Sequence, residues 1–450
     1  MIFLAFKKKQ QTTMADHQEE TINIISQHQV FPSKPTTTTT SLPLTFFDLI
    51  YLQAGPVHRL FFFSFSHSTS HFLSSSLPTL LSNLSHSLHL FPPLSSHLSL
   101  SSTPLQLIST PTDSIPLTIS EFTGDLNKFH YLISDHPKLY SLIKPLLPLL
   151  PSIDPNKRSL MALQVTIFPF HGLCLAMAID HVVGDGASFN HFRKSFATGS
   201  LVGAPPIFDR TLIQDPSNKL YSTYLNFYHD LKSQPQSYLT SPEADEDNFI
   251  ATFTLRREHI EKLKLKQIHC TTFVVSCAYV WVCMAKANAW PGERTSHFYF
   301  AFDCRSRLRP PLSSTYFGNC LLACFIELKV KELVGEDGVT VAAKAIKAGI
   351  EDLEERGVLS DAEWIMEKMS ALPKDLALVV AGSPRFRVYE TEFKGWGKPV
   401  KVDTVLKRKS GALCIAESRD GEGGVEIGLV LSLPLMHQFT SCFDDGLRFI

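Results

Sequence analysis

The chain has 450 residues, with 42 Lys and Arg against 43 Asp and Glu and a formal net charge of −1. A charge this close to zero provides no basic face that would attract nucleic acid or anionic lipid over long range, so the composition argues against both as partners. A hydrophobic fraction of 44% with 33 Phe residues is enough for sizeable cores. The length exceeds what one core usually holds, which predicts two domains.

The N-terminal segment predicts neither secretion nor a membrane anchor. The apolar residues 1–6 are too few for a signal-peptide core, and the basic run at 7–9 follows them, which reverses the usual order. The longest apolar run, 273–285, is interrupted by a serine and is shorter than the ~20 residues that span a bilayer. We therefore expect a cytoplasmic protein. Because Met14 opens a more ordinary start, we interpret residues 1–13 as a disordered or spurious extension.

The first part of the chain alternates predicted strands with a helix. Residues 22–30 and 59–65 predict strands, and a Pro- and Thr-rich linker lies between them at 35–40. Leucines recur at helical spacing through 78–90, which predicts an amphipathic helix. The His residues around this helix have the spacing of no metal-ligand set, so we interpret them as surface groups.

The most informative pattern follows two apolar runs, 164–168 and 172–178, which predict a pair of buried strands. The second strand ends in the sequence HVVGDG, where His181 and Asp185 are four residues apart. A neutral imidazole with a pKa of about 6.5 is suited to take a proton from a hydroxyl near neutral pH. The alternative is a structural histidine, which is the commoner occupant of a strand end.

Two glycines flank the aspartate of this motif. Gly184 and Gly186 permit positive φ, which predicts a sharp turn that presents His181 to a cleft. A hydrolase with a serine nucleophile would need the pattern GxSxG, and the sequence does not contain it. The motif therefore favours a histidine that acts without a serine nucleophile.

The second half of the chain again mixes strands and helices. A polar, acidic segment around 233–247 is interpreted as the crossover between domains. The elements predicted after it are a strand at 249–255, a polar helix at 257–267, a buried helix at 271–286, a helix at 339–356 and a hairpin at 412–417 and 424–431. Mixed elements in both halves predict an α/β fold.

The nine Cys residues are odd in number, dispersed and mostly embedded in apolar runs. This usage is typical of buried thiols in a reducing compartment, and we expect no disulfide framework. Cys320 and Cys324 are four residues apart, but a zinc site would need a second pair at matched spacing. We therefore expect no metal site.

Four further segments carry a resemblance to a known family. They are LPLTFFDL at 42–49, DCRSRL at 303–308, YFGNC at 316–320 and EFKGWGKP at 392–399. With the HVVGDG motif they make the chain resemble the plant BAHD acyltransferases, a CoA-ester-dependent family, over nearly its whole length. The YFGNC string resembles the branch that acylates sugars of flavonoid, anthocyanin and other phenolic glycosides, in which malonyl-CoA is the commonest donor.

The resemblance implies an α/β fold of two lobes, similar to chloramphenicol acetyltransferase, with a tunnel between the lobes. We assign residues 14–205 to an N-terminal lobe that carries the His181 motif and 206–247 to the crossover. Residues 248–450 form the C-terminal lobe with the YFGNC and GWG segments. We expect a monomer.

The resemblance also implies the chemistry. His181 and Asp185 form the expected catalytic centre, in which His181 deprotonates a sugar hydroxyl that attacks the thioester carbonyl of an acyl-CoA. The acyl-CoA is a co-substrate, and no cofactor is expected. Asp185 is expected to turn away from His181 and to pair with Arg305. The alternative is that Arg305 and Arg307 form a solvated pair on a loop.

Other residues are assigned structural or tunnel-lining roles by the same resemblance. They are Asn319 in YFGNC, Trp396 and Gly397 in EFKGWG, and Ser383, whose hydroxyl is a candidate donor to the oxyanion. Trp396 is either the anchor of a tight turn or a wall of the tunnel, and we favour the anchor. EFKGWG has one residue more than the family's Asp-Phe-Gly-Trp-Gly, and a Glu in place of its Asp.

The acyl donor depends on charge. A malonyl carboxylate needs a cation within reach, and the candidates are Arg193, Lys194, Arg305 and Arg307. If none enters the tunnel, a hydroxycinnamoyl-CoA such as coumaroyl- or caffeoyl-CoA is the better donor. An alternative of another class is a relative that binds CoA esters with little turnover.

Overall fold

The computed structural model describes residues 22–34, 36–154, 156–215, 218–233, 247–266, 270–373, 375–405 and 411–448. The extension predicted at 1–13 and the part of the predicted crossover at 234–246 lie outside the described residues. Among the helices of the described ranges, none combines the length and the apolar character needed to cross a bilayer.

The strands in chain order are β1 (Ile22–Val30), β2 (Thr40–Pro43), β3 (Pro56–Ser64), β4 (His97–Ser99), β5 (Gln106–Ser109), β6 (Ile115–Phe122), β7 (Lys138–Leu139), β8 (Ser152–Asp154), β9 (Lys157–Ser159), β10 (Met161–Phe168), β11 (Gly172–Asp180), β12 (Asn248–Leu255), β13 (Thr295–Asp303), β14 (Leu321–Lys329), β15 (Ala377–Ala381), β16 (Lys401–Val405), β17 (Ala412–Glu417) and β18 (Val425–Ser432).

The α-helices are α1 (Phe46–Leu49), α2 (Thr69–His71), α3 (Leu77–Leu90), α4 (Lys128–Leu132), α5 (Tyr140–Ile143), α6 (Gly186–Thr198), α7 (Leu220–Ser233), α8 (Arg257–Lys266), α9 (Thr272–Ala287), α10 (Val330–Val334), α11 (Gly338–Arg356), α12 (Ile365–Ala371) and α13 (Leu433–Arg448).

These elements confirm the α/β class and most of the predicted strands and helices. The strand predicted at 22–30 is β1, and the helix predicted at 78–90 is α3. The apolar run at 271–286 forms α9, which is buried along almost its whole length. The predicted C-terminal hairpin is formed by β17 and β18, which pair antiparallel.

Two large sheets organise the molecule. The N-terminal sheet has the strand order β1-β6-β10-β11-β3-β16, and the C-terminal sheet has the order β14-β13-β15-β17-β18-β12-β7. A smaller sheet, β2-β5-β4-β9-β8, completes the first half of the chain. Each half of the chain lends a strand to the sheet of the other, since β16 pairs with β3 and β7 pairs with β12. The lobe boundaries assigned from the sequence stay a prediction.

The predicted buried hairpin is present and places the His181 motif. Strands β10 and β11 pair antiparallel from Met161 opposite Ile179 to Phe168 opposite Gly172. Every residue of both strands is buried, as expected for strands that are covered on both faces. Because β11 lies between β10 and β3, the motif starts at the end of an interior strand.

The prediction that the motif glycines adopt positive φ is wrong. Gly184 is extended, with φ 172°, and Gly186 is the first residue of α6. Gly186 is required for a different reason, because a Cβ atom there would lie 2.6 Å from the ring of Phe386. The glycine therefore permits close packing rather than a left-handed turn.

All nine cysteines are free thiols, and seven of them are buried. Within the described residues, no group of three His, Cys, Asp or Glu side chains is placed to hold a metal ion.

Candidate active site

His181 is held by contacts on both sides of the strand end. It opens a short 3₁₀ turn, His181–Val183, in which the Asp180 carboxylate accepts a hydrogen bond from the Val182 amide at 3.0 Å. The same carboxylate forms an ion pair with Arg158 Nε at 2.7 Å. The ring of Tyr51 stacks on the imidazole with a centroid distance of 3.8 Å and an angle of 6°. The backbone turn and the stacked ring together fix the orientation of the half-buried imidazole.

The two imidazole nitrogens of His181 have different surroundings. Nδ1 is buried and has no hydrogen-bond partner, and neither has the buried Oδ1 of Asn319. The Asn319 amide donates to the His181 carbonyl at 2.9 Å and to Asp48 Oδ1 at 3.0 Å. Among the described residues Nε2 has no partner, and it is not one of the buried polar atoms. Nε2 is thus the nitrogen that is available to a substrate.

Burial lowers the pKa of His181 below its ordinary value, against the opposing effects of its own backbone carbonyl and of Asp185. Desolvation disfavours the imidazolium because a charged ring loses more hydration than a neutral one. The ring is therefore neutral near pH 7, which is the protonation state that a general base needs.

Asp185 is fully buried and faces away from His181. Its carboxylate oxygens lie 2.7 and 2.9 Å from Nη1 and Nη2 of Arg305. It also accepts hydrogen bonds from the amides of Ser188, at 3.1 Å, and Cys320, at 3.2 Å. The structure therefore shows the expected pairing with Arg305, and the Ser188 contact makes Asp185 the N-cap of α6. Such a carboxylate organises the backbone instead of orienting the imidazole.

Arg305 is wholly occupied within the protein. Besides Asp185 it contacts Asp303 Oδ1 at 3.3 Å and donates to the carbonyls of Tyr316, at 3.1 Å, and Gly318, at 3.0 Å. These internal contacts argue against Arg305 as the partner of a malonyl carboxylate, and that role stays a prediction. The alternative of a solvated loop pair is wrong for Arg305, because only 4% of its side chain is exposed.

Two of the other predicted carboxylate partners, Arg193 and Arg307, also have partners within the protein. Arg193 is buried on the inner face of α6 and donates to the carbonyls of Val388 and Phe386, each at 3.2 Å, and to Thr391 Oγ1. Arg307 lies at the surface and pairs with Glu354 at 2.6 Å. Both guanidinium groups have partners within the protein, and the role of either one as the partner of a donor carboxylate stays a prediction.

Trp396 is the anchor of a tight turn, as the favoured interpretation states. Its buried ring packs against three phenylalanines, Phe63, Phe72 and Phe393, with centroid distances of 5.4, 5.9 and 5.8 Å. Phe393 and Gly397 exchange two backbone hydrogen bonds of 2.9 Å. Gly397 has φ +76°, a left-handed conformation that favours glycine. The segment with the extra residue therefore closes on itself and keeps Trp396 packed.

A cavity lies between the two large sheets, and we call it the intersheet cavity. Its lining includes Arg59 and Thr404 from the N-terminal sheet, Cys414 and Glu426 from the C-terminal sheet, and Ser383 and Phe386 from the loop after β15. Ser383 Oγ accepts a hydrogen bond from the Arg385 amide at 3.2 Å. His181 is not one of the lining residues, so the assignment of Ser383 to the oxyanion stays a prediction.

Comparison with known proteins identifies the family. Residues 20–445 match the model of the Transferase family. Curated relatives in Arabidopsis thaliana include a coumaroyl-CoA:anthocyanidin 3-O-glucoside-6''-O-coumaroyltransferase, 34% identical with 95% of this chain and 97% of that protein covered. Phenolic glucoside malonyltransferase 1 of the same plant is 33% identical, with 96% and 99% covered. The chain is a member of the BAHD acyltransferase family.

Solved structures agree with this membership. Vinorine synthase superposes with a TM-score of 0.73 at 19% identity, over 93% of this chain and 96% of that protein. Likeness at this identity shows the fold, which is the expected two-lobed fold of BAHD acyltransferases.

A further curated relative is a malonyl-coenzyme A:anthocyanin 3-O-glucoside-6''-O-malonyltransferase of Dahlia pinnata. It is 31% identical to this chain, with 95% of this chain and 98% of that protein covered.

Two residues of this acyltransferase site were not singled out from the sequence. Asp48 is fully buried and accepts from Thr45, through N at 2.8 Å and Oγ1 at 2.9 Å, as well as from Asn319. The spacing of Thr45 and Asp48 is that of a capping box, a signal that was available. Arg210 donates to Tyr316 Oη at 2.8 Å and to the Phe317 carbonyl at 2.6 Å, and its sequence context carries no comparable signal.

Proposed function

We propose that this acyltransferase moves an acyl group from an acyl-CoA to a sugar hydroxyl of a phenolic, flavonoid or anthocyanin glucoside, with His181 as the general base. The observation that supports this most is the arrangement of the motif pair. The imidazole is neutral and has a free Nε2, whereas Asp185 is bonded to Arg305 and to the start of α6. A base of this kind deprotonates a hydroxyl without a serine nucleophile.

The reaction is a direct transfer between two bound substrates. His181 Nε2 takes the proton of the sugar hydroxyl while the hydroxyl oxygen bonds to the thioester carbonyl carbon. The tetrahedral oxyanion then collapses, the carbon–sulfur bond breaks, and the CoA thiolate leaves and receives the proton from the imidazolium. Holding both substrates together supplies orientation that a bimolecular encounter lacks.

We assign Asn319 a positioning role in this step. The proposed step needs the proton of the neutral imidazole on Nδ1, and Asn319 Oδ1 is a buried acceptor that has no hydrogen-bond partner. A contact between the two would fix the tautomer that leaves the Nε2 lone pair free. Ser383 is proposed as a hydroxyl donor to the oxyanion.

Malonyl-CoA is the first proposed donor, in keeping with the YFGNC segment and with relatives named as malonyltransferases. Hydroxycinnamoyl-CoA is the second. The internal bonding of Arg193, Arg305 and Arg307 favours this second donor, as does a relative named as a coumaroyltransferase. We further propose a cytoplasmic monomer that uses acyl-CoA as co-substrate, with no cofactor and neither nucleic acid nor membrane as partner.

The test is turnover of the purified protein with malonyl-, acetyl- and coumaroyl-CoA against flavonoid and simple phenolic glucosides, followed by mass spectrometry. We expect an acylated glucoside with wild type and its loss in His181→Ala. His437→Ala, which removes an exposed histidine on α13, is the matched control and should keep full activity.

The outcomes separate the proposals. Transfer from coumaroyl-CoA alone replaces malonyl-CoA as the donor and keeps the general-base mechanism. Binding of CoA esters without a product from any donor identifies a binding protein of low turnover and overturns the enzymatic proposal. Full activity in His181→Ala overturns the assigned base.

A further inference from the structure

Arg59 is a cation without an anionic partner, and it lines the intersheet cavity. Its Nε donates to Thr404 Oγ1 at 3.2 Å. Within the described part of the chain, no carboxylate oxygen lies within 4.0 Å of its guanidinium and neither Nη has a hydrogen-bond partner. Arg59 is half-buried, and cations that lose part of their hydration are normally paired, so this guanidinium has capacity for an anion that the protein itself does not supply.

The carboxylates that share the cavity wall already have cations of their own. Lys401 Nζ lies 3.6 Å from Asp403 and 3.9 Å from Glu426. Lys138 lies 3.9 Å from Asp403, and Arg419 lies 3.8 Å from Glu426. These ion pairs satisfy Asp403 and Glu426 locally, so neither acid neutralises Arg59.

A second guanidinium strengthens the positive charge at this wall. Arg193 donates to the carbonyls of Phe386 and Val388, two residues that line the cavity. Its hydrogen-bond partners are all neutral, so it keeps its charge uncompensated by any direct ion pair. Burial and the neighbouring Arg59 lower the pKa of Arg193 to about 9. Glu417 is the acid that acts on both arginines, at longer range.

The sheet register relates Arg59 to the catalytic histidine. Strand β3 pairs Pro56 with Asp180, the residue before His181, and Arg59 with Met177. Three residues of a strand span about 10 Å. His181 is one residue further on, so Arg59 leaves the sheet four residues, or about 13 Å, from the level of His181. The cavity also borders the His181 motif, because its lining residue Phe386 lies against Gly186, where a Cβ atom would be 2.6 Å from the Phe386 ring.

We propose that Arg59 binds the terminal carboxylate of a malonyl donor in the intersheet cavity and so sets the selectivity of the enzyme for an anionic acyl group. This inference rests on the acyl-transfer function proposed above. The planar fork of the guanidinium matches a carboxylate with two parallel hydrogen bonds. Thr404 orients the group through Nε and leaves both Nη atoms for the ligand.

The test compares donors that differ only by the carboxylate. The kcat/KM values for malonyl-CoA and acetyl-CoA, and the dissociation constants of both and of free CoA, are measured for wild type and Arg59→Gln. We expect the preference for malonyl- over acetyl-CoA to fall by about 10- to 100-fold, the range for a charge-assisted hydrogen-bonded contact. The donor preference of Arg59→Lys should lie between those of wild type and Arg59→Gln. Arg307→Gln, which removes an arginine paired at the surface, should not change the preference.

Three results would overturn the inference. If Arg59→Gln weakens the binding of malonyl-CoA, acetyl-CoA and free CoA equally, Arg59 binds a phosphate of CoA instead of the malonyl carboxylate. If the preference for malonyl-CoA over acetyl-CoA is unchanged in Arg59→Gln, Arg59 does not bind the acyl group. If wild type turns over coumaroyl-CoA but not malonyl-CoA, the acyltransferase function stands and malonyl is not the ligand of Arg59. If no donor is turned over, the proposed function itself is overturned. If Arg59→Gln does not fold, Thr404→Val tests the same point, because the misoriented guanidinium should lower the malonyl preference.

Discussion

Asp185 and Arg305 form a buried bidentate ion pair across 120 residues of sequence, with oxygen–nitrogen distances of 2.7 and 2.9 Å. The pair joins the start of α6, at the end of the HVVGDG motif, to the loop between β13 and β14. The motif aspartate therefore ties the two halves of the chain together at the site.

We expect Asp185→Ala to lower the free energy of unfolding, so that any loss of activity comes with a loss of stability. Removing one partner of a buried pair leaves an uncompensated charge and costs about 3–5 kcal/mol. The two amides that Asp185 accepts from would lose their acceptor as well. Chemical denaturation followed by circular dichroism measures the loss in the free energy of unfolding.

His181→Ala provides the matched comparison. It should reduce kcat/KM by a factor of about 10² to 10⁴, the usual contribution of a general base, with a much smaller loss of stability than Asp185→Ala. A double variant, Asp185→Leu with Arg305→Met, should unfold closer to wild type than Asp185→Ala does, because it leaves no buried charge unpaired. Wild-type stability in Asp185→Ala would contradict the structural role.

The sequence predicts features that depend on neighbouring residues, but it does not predict contacts between residues that are far apart in the chain. The β10–β11 hairpin and α9 were predictable because a continuous apolar run specifies its own burial. The contacts of Arg193 were not predictable, because they depend on which face of α6 packs against the segment of Val388 and Thr391, almost 200 residues further along the chain. The same holds for Arg59, whose place in the cavity depends on the pairing of β3 with β16.

The pH dependence of activity should reflect the lowered pKa of His181. Protonation removes the base, so kcat/KM falls as the pH decreases through this pKa. Since burial places the pKa below its ordinary value, the midpoint of the acid limb should lie below about 6.5. The pH profile of kcat/KM measures this midpoint, and the residual rate of His181→Ala should lack the limb. A midpoint above the ordinary value would show that the imidazolium is stabilised instead.

Thiol reactivity should follow burial. Burial raises the pKa of Cys283, Cys304 and Cys324, each to about 12, and the thiolate is the species that alkylating agents attack. In the folded protein at pH 8, iodoacetamide should label Cys270 and Cys442, which are half-buried, before the seven buried cysteines. Peptide mass spectrometry checks the order. In guanidinium chloride all nine cysteines should react, and early labelling of a buried cysteine in the native state would contradict the packing.

Two tryptophans allow a test of the altered C-terminal segment. Trp396 is buried among three phenylalanines, whereas the side chain of Trp364 is 57% exposed. Trp396→Ala should cost about 3–5 kcal/mol, since it opens a cavity in an aromatic cluster. Trp364→Ala should change stability by no more than about 0.5 kcal/mol, as surface substitutions usually do. Denaturation of both variants against wild type measures the difference. Similar small losses in the two would show that EFKGWG does not anchor Trp396 in solution, because only a packed ring leaves a costly void when it is removed.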